Sequence, residues 1–246
     1  MSIDSKIERV NVNIDSKDRT SGTNENFIIT LSPKLTRVVA CDVVSVEVPF
    51  SYYTVNTSNN VLKFTNAVPT TFTATVTPGN YDGITFAGQL QTLMNAQMAG
   101  FTVTYNVASY TLTFANASQF NILLSGSTIA PVIGISADSG LTTSYTTQIA
   151  LNLSGPNFLM ILSSRIVNLK KYKPYFHSGT STCLYKLQIN DGPGTIICDK
   201  NVFPNSVNFG VRNDIDQIDL NLVDPDGNTV DLNGQRWSIT LVFYIE

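Results

Sequence analysis

Charge is what this chain has least of. Only 13% of its 246 residues are Asp, Glu, Lys or Arg, about half the share of an average soluble domain. The formal net charge is −3, so no global basic field exists to collect nucleic acid, and direct nucleic-acid binding is not expected. The local cluster Lys170, Lys171 and Lys173 is too small for a binding patch and reads as a solvated turn. Cysteine is scarce as well. Cys41, Cys183 and Cys198 form an odd set without C-x-x-C spacing, which argues against a disulfide framework and a zinc site and points to a reducing compartment. Cys41 lies in an apolar strand and reads as a small core residue. The chain has one histidine, His177, in a loop-like stretch beside Tyr175 and Phe176, and no G-x-S-x-G. A Ser-His-Asp site, which needs both a base and a sharply turned nucleophile, is therefore not expected. No run of 18 apolar residues occurs, so no membrane span is expected. The opening MSIDSKIERVNVNID lacks the apolar stretch of a signal peptide. Outside the secretory route, the N-x-S/T triplets at Asn56, Asn116 and Asn152 carry no consequence.

Ser, Thr, Asn and Gly fill the place of charge, and the dominant period is two. Residues 7–14 alternate as a half-buried strand. Phe27–Leu31 is a short strand closed by Pro33. Val38–Pro49 is a longer one, with Asp42 marking a bulge or irregularity. After Tyr53 the texture changes. Strands at Val61–Asn66 and Phe72–Thr77 precede the turn PGNYDG and one convincing helix, Ile84–Ala99. Its apolar stripe is Ile84, Ala87, Leu90, Leu93 or Met94, and Met98; Asp82 or Thr85 caps it and Gly100 stops it. A hairpin follows, with Phe101, Val103 and Tyr105 alternating before the turn and Tyr110, Leu112 and Phe114 after it. Phe120–Leu124 is a further strand, and Ile129–Ile135 a short helix or turn carrying an apolar plug. From Asn157 plain β texture returns: one or two strands over Asn157–Leu169, then Leu184–Ile189, Thr195–Cys198, Val207–Val211, Ile215–Val223, Thr229–Leu232 and Trp237–Ile245.

The chain thus reads as β, then α+β, then β. Neither flank has strands enough for a core alone. Together residues 1–52 and 156–246 supply about eight, which suits an eight-stranded two-sheet sandwich, with residues 53–155 inserted in one inter-strand loop as a small α+β domain.

Candidate chemistry is thin. Asp224, Asp226, Asn228 and Asp231 suggest a cation loop, but counting from Asp224 puts Thr229 at position six and Gln235 at position twelve, where a calcium loop needs Gly and Glu. An Asp/Gly hairpin turn accounts for the segment. Asp191–Gly194 and Gly79–Gly83 lack the lysine and Ser/Thr of a phosphate loop and read as turns. Asp214, Asp216 and Asp219 cluster in sequence and read as solvated. Two aromatic groups, Phe50 with Tyr52 and Tyr53, and Tyr172 with Tyr175 and Phe176, read equally as subunit anchors or as small cores under loops. No catalytic, cofactor-binding or metal-binding residue is assigned, and no cofactor is expected.

Several phrases, in order, resemble minor capsid proteins of virophages and nucleocytoplasmic large DNA viruses. These are V-N-I-D-S-K-D-R at Val12–Arg19 with its S-x-x-R, E-N-F-I-I-T-L ending at Leu31, and V-S-V-E-V-P-F-S-Y-Y-T-V-N with Pro49 to Tyr53. They continue with P-G-N-Y-D at Pro78–Asp82 and the closing segment Asp224–Leu241. The resemblance implies a mainly β protein, a single jelly roll standing at the five-fold vertex of an icosahedral capsid as a homopentamer (a penton), with the insert projecting outward. It implies no catalytic residues. Expected partners are the chain itself, the major capsid protein and, through the insert, the host surface. The expected location is the virion, after synthesis in the host cytoplasm. Two readings compete. A receptor- or glycan-binding tip or spike protein would carry an aromatic-lined pocket in the insert. A jelly-roll glycoside hydrolase would need two carboxylates and several aromatics on a concave sheet face, whereas the strand acids here alternate with core residues.

Overall fold

The computed structural model describes residues 7–169, 182–201 and 207–246. In chain order its strands are β1 (Glu8–Asp15), β2 (Ser21–Gly22), β3 (Asn26–Pro49), β4 (Val61–Asn66), β5 (Thr71–Thr75), β6 (Thr102–Asn106) and β7 (Thr111–Leu123). They continue with β8 (Thr142–Thr146), β9 (Phe158–Leu162), β10 (Cys183–Gln188), β11 (Ile196–Lys200), β12 (Val207–Val223) and β13 (Ser238–Ile245). The helices are α1 (Gly83–Gln97), α2 (Ala130–Ile133) and α3 (Ser164–Val167). The chain divides into two compact units, residues 1–52 with 156–246, and residues 53–155.

The first unit is an antiparallel sandwich. One layer runs β1, β13, the second half of β3, then β11. The other runs the first half of β3, the second half of β12, then β9 and β10. These eight strand segments are a jelly roll, and the protein is mainly β. Inward residues of both layers merge in one core: Ile14, Val46, Ile239, Leu241 and Phe243 from one, and Phe27, Leu159, Ile161, Leu187, Ile218 and Leu220 from the other. Tyr185 of β10 donates its hydroxyl to Asp199 of β11 at 2.9 Å, a polar tie from layer to layer. Burial, and then the Asp199 bond, push the Tyr185 phenol up to about 12.

Two strands expected separately on each side of Pro33 are one element, β3, with register shifts in its pairing to β12. The pairing of β3 with β12 skips from Thr30 to Leu35, so the missing N–H of Pro33 costs no ladder bond there. Val207–Val211 and Ile215–Val223 likewise join in β12. The bulge expected at Asp42 lies at Val44: Val43 pairs Leu241 and Ser45 pairs Thr240, leaving Val44 between. Asp42 itself is buried and accepts the Tyr244 hydroxyl at 2.7 Å. The second half of Asn157–Leu169 is the helical turn α3 rather than a strand, and Thr229–Leu232 forms only an isolated bridge, Val223 to Thr229.

The second unit is a five-stranded antiparallel sheet, β5-β4-β7-β6 with β8 on β7, with α1 packed against β5 and β6. Asp82 caps α1, its Oδ1 accepting the N–H groups of Ile84 and Thr85 at 2.9 and 2.8 Å. The buried stripe is Phe86, Ala87, Leu90 and Met94; Ile84, expected on it, faces solvent. Phe101 and Val103 before the hairpin turn and Leu112 and Phe114 after it are buried, as the alternation requires. Ile129, Ala130, Ile133 and Ile135 do plug the core around α2. β8 carries no sequence signal of its own: TTSYT has no buried residue, and it forms by pairing with β7.

α3 depends on a residue 55 positions away. Asp219 of β12 accepts the Ser163 hydroxyl at 2.9 Å, the N–H of Ser164 at 2.9 Å and the N–H of Arg165 at 2.8 Å. Burial opposes the charge of this half-buried carboxylate, but the bonds from Ser164, Arg165 and Ser163 outweigh it and hold the carboxyl below its ordinary range. The stabilisation is therefore complete above about pH 4, the usual Asp range, and disappears as pH falls through the depressed folded value. Asp219→Ala is expected to cost about 1–2 kcal/mol at pH 7, the worth of a helix cap. Urea unfolding of both proteins checks this; the gap between them should narrow steadily below pH 4.

Candidate functional site

Four of the five segments that resemble the capsid family meet in space. Ser16–Asp18 forms a 3-10 turn capped by Asp15, whose Oδ1 accepts the Lys17 N–H at 2.8 Å. Arg19 then turns back over the loop. Its Nη1 donates to Ser16 O at 3.0 Å and Asn24 Oδ1 at 2.9 Å, and its Nε to Gly22 O at 3.1 Å. One guanidinium thus serves three acceptors of the loop. A glycine is required at 22: it has φ 98, and a Cβ would stand 2.2 Å from Asn26 O.

The far end of the chain closes on this loop. Trp237 is buried, donates its indole N–H to Asn24 O at 2.7 Å, and packs edge-on against Phe27 with centroids 5.7 Å apart. Ser16 N–H donates to Trp237 O at 2.9 Å, and the Trp237 N–H to Ser16 Oγ at 3.2 Å. Asn24 Nδ2 reaches Gly234 O at 3.1 Å. Glu25 is buried, and its Oε1 accepts the Leu232 N–H at 3.2 Å.

The segment after β3 joins the same end. Ser51 Oγ donates to Leu232 O, and Asn233 Nδ2 to Ser51 O, both at 2.6 Å. Phe50 and Tyr52 are buried and stacked 4.3 Å apart, so they belong to the core and not to an anchor patch. Burial pushes the Tyr52 phenol up. Tyr53 lies in the second unit and is exposed. Lys170, Lys171, Tyr172, Lys173, Tyr175, Phe176 and His177 lie outside the described residues.

The remaining sequence candidates are structural in their geometry. Asp224 Oδ1 accepts the N–H groups of Asp226 and Asn228, both at 2.9 Å, and its Oδ2 takes Asn228 Nδ2 at 3.1 Å, which makes the loop a self-bonded turn. Asp214 pairs with Lys34 at 2.9 Å on the surface, and that bond, with the N–H of Arg37, lowers its carboxyl. Asp216 is exposed. The Asp191–Gly194 turn is pinned by Gly194 N–H to Phe50 O at 2.9 Å. Asn116 is buried, its amide donating to Ala99 O at 3.0 Å. Cys41 and Cys183 are buried and Cys198 is exposed. Among the described residues no three His, Cys, Asp or Glu side chains converge on a metal-sized site, and no helix is long and apolar enough to cross a membrane. A shallow depression of about 260 Å³ on the first layer is lined by Asp15, Asp18, Glu47 and Ser238, where the Ser238 hydroxyl bonds Glu47.

Sequence reasoning found these segments but not their meeting. Nothing local links Asn24 to Trp237, which are 213 positions apart, or Ser51 to Leu232, which are 181 apart. The order of the motifs was the available signal.

These features define a jelly-roll sandwich with an inserted α+β unit. A similar solved structure is the crystal structure of the selenomethionine-labelled mavirus penton protein, at 11% identity and a TM-score of 0.43, over 97% of this chain and 99% of that one. No family model and no curated protein matches the chain.

Trp237 is the only tryptophan, so its fluorescence reports on this end alone. Arg19→Ala removes three hydrogen bonds at an exposed position and should cost about 1 kcal/mol. The emission of Trp237 should shift to the red at native pH, and an unshifted spectrum with unchanged stability would refute the linkage described.

Proposed function

We propose that this chain is a structural virion protein that forms pentameric vertex capsomers of an icosahedral capsid. Its partners are copies of itself and the major capsid protein, and it is not an enzyme. The supporting observation is the hydrogen-bonded end just described. The segments that resemble minor capsid proteins are spent on joining loops and strand ends, and their polar side chains are aimed at backbone groups rather than into a cleft. A chain built in this way offers shape, and its function is the surface it presents. A ring of such sandwiches closes through heterologous contacts, in which one flank of each subunit meets the other flank of the next. Closure also covers the sheet edges at β1, β10 and β11, which lie at the ends of the two layers and would otherwise be open to unwanted pairing.

Light scattering on the full chain eluting from a sizing column, across concentration, tests the reading. The expected result is a discrete species of five chains whose mass does not drift on dilution. A three-chain species would sink the vertex reading in favour of a receptor- or glycan-binding spike.

A further inference from the structure

The insert is almost without charge. Of the chain's 15 Lys and Arg residues only Lys63 falls within residues 53–155, and of its 18 Asp and Glu only Asp82 and Asp138. Both carboxylates are engaged within the fold: Asp82 caps α1, and Asp138 Oδ1 accepts the Leu124 N–H at 2.7 Å. Even the solvent side of α1, with Gly88, Thr92, Ala96 and Gln97, is neutral. Ordinary soluble surfaces carry charges of both signs, which keep molecules apart.

Apolar side chains stand exposed at one end of the insert's sheet. Val107 and Tyr110, in the β6–β7 turn, are 64% and 57% exposed, and Ile149, just after β8, is 56% exposed. The strands bring them together: Asn106 pairs with Thr111, and the Leu151 N–H donates to Tyr110 O at 2.6 Å. Tyr110 also has φ 58, a left-handed conformation that Gly or Asn adopts far more cheaply than a bulky residue. The turn is already bonded by Asn106 Oδ1, which accepts the N–H groups of Ala108 and Ser109 at 2.9 and 3.3 Å. The ring of Tyr110 thus sits in solvent at a backbone cost and contributes nothing evident to the fold.

We propose that this end of the insert, Tyr110 with Val107 and Ile149, is a contact between copies of this chain. The inference rests on the vertex reading and names the surface through which its copies meet. Identical units gathered round a rotation axis bring like charges toward like, and a unit without charge escapes that repulsion. Of the insert's own acids, Asp82 is held against the N–H groups that open α1 and Asp138 against the N–H of Leu124. A nucleic acid, an anionic membrane or a strongly charged protein would need charges that this surface lacks, whereas a second copy of it is complementary in being neutral and apolar. Exposed aromatics flanked by aliphatic residues are the composition of interface centres.

The test compares full-length wild type, Tyr110→Asn, Tyr110→Glu and Val107→Ser by light scattering across concentration and salt, with thermal unfolding of each. Asn is at ease at φ 58, so Tyr110→Asn should unfold no earlier than wild type while needing at least tenfold more protein to assemble. Val107→Ser should weaken assembly in the same direction and stands in if either Tyr110 variant misfolds. Tyr110→Glu should assemble least at low salt and recover as salt rises. Wild-type assembly itself should change little with salt. Folded Tyr110→Asn and Val107→Ser proteins that assemble at wild-type concentrations overturn the inference, and if their mass is five chains the vertex reading survives. A three-chain wild type that Tyr110→Asn dissolves upholds the contact and overturns the vertex reading. A wild type that stays monomeric overturns the contact and leaves the surface to a partner of another kind, such as a neutral glycan.

Discussion

Backbone groups that leave a strand must find partners elsewhere, and one end of this sandwich is organised by that requirement. Three stretches emerge there: the turn after β1, the residues after β3, and the long connection from β12 to β13. Apart from the two-residue β2 and one isolated bridge, these stretches have no ladder to bond. Ser16, Arg19, Asn24, Glu25, Ser51 and Asn233 supply side-chain partners instead, and Trp237 closes the group with its backbone and indole N–H groups and a buried ring. Five of these bonds join residues 181 to 213 positions apart, so the end is complete only in the folded sandwich.

The same economy governs the acidic residues. Asp219, Asp82 and Asp224 each lie where a helix or turn begins, and each accepts N–H groups that would otherwise be unpaired. Such carboxylates resemble site residues when only their sequence spacing is seen. Their geometry spends them on the fold. The insert carries this furthest: its three charges leave a face of hydroxyls, amides and a few exposed apolar groups.

What the sequence by itself determined is what depends on neighbours along the chain. Alternation marked the strands around Ile14, Val103 and Leu220, because side chains on a strand face opposite sides by turns whatever lies beyond. Asp82 before an apolar stripe marked α1, since a cap acts on the next three residues. The order of weak motifs pointed to the jelly roll. Tertiary structure decided what depends on partners far away. It ran β3 through Pro33, placed the bulge at Val44 instead of Asp42, and built β8 from five residues with no buried side chain. It turned Ser164–Val167 into a helix under Asp219, and chose Phe86 over Ile84 for the core. In each case the deciding contact comes from a residue with no fixed spacing to the one it directs, and such a contact exists only after the sheets have paired.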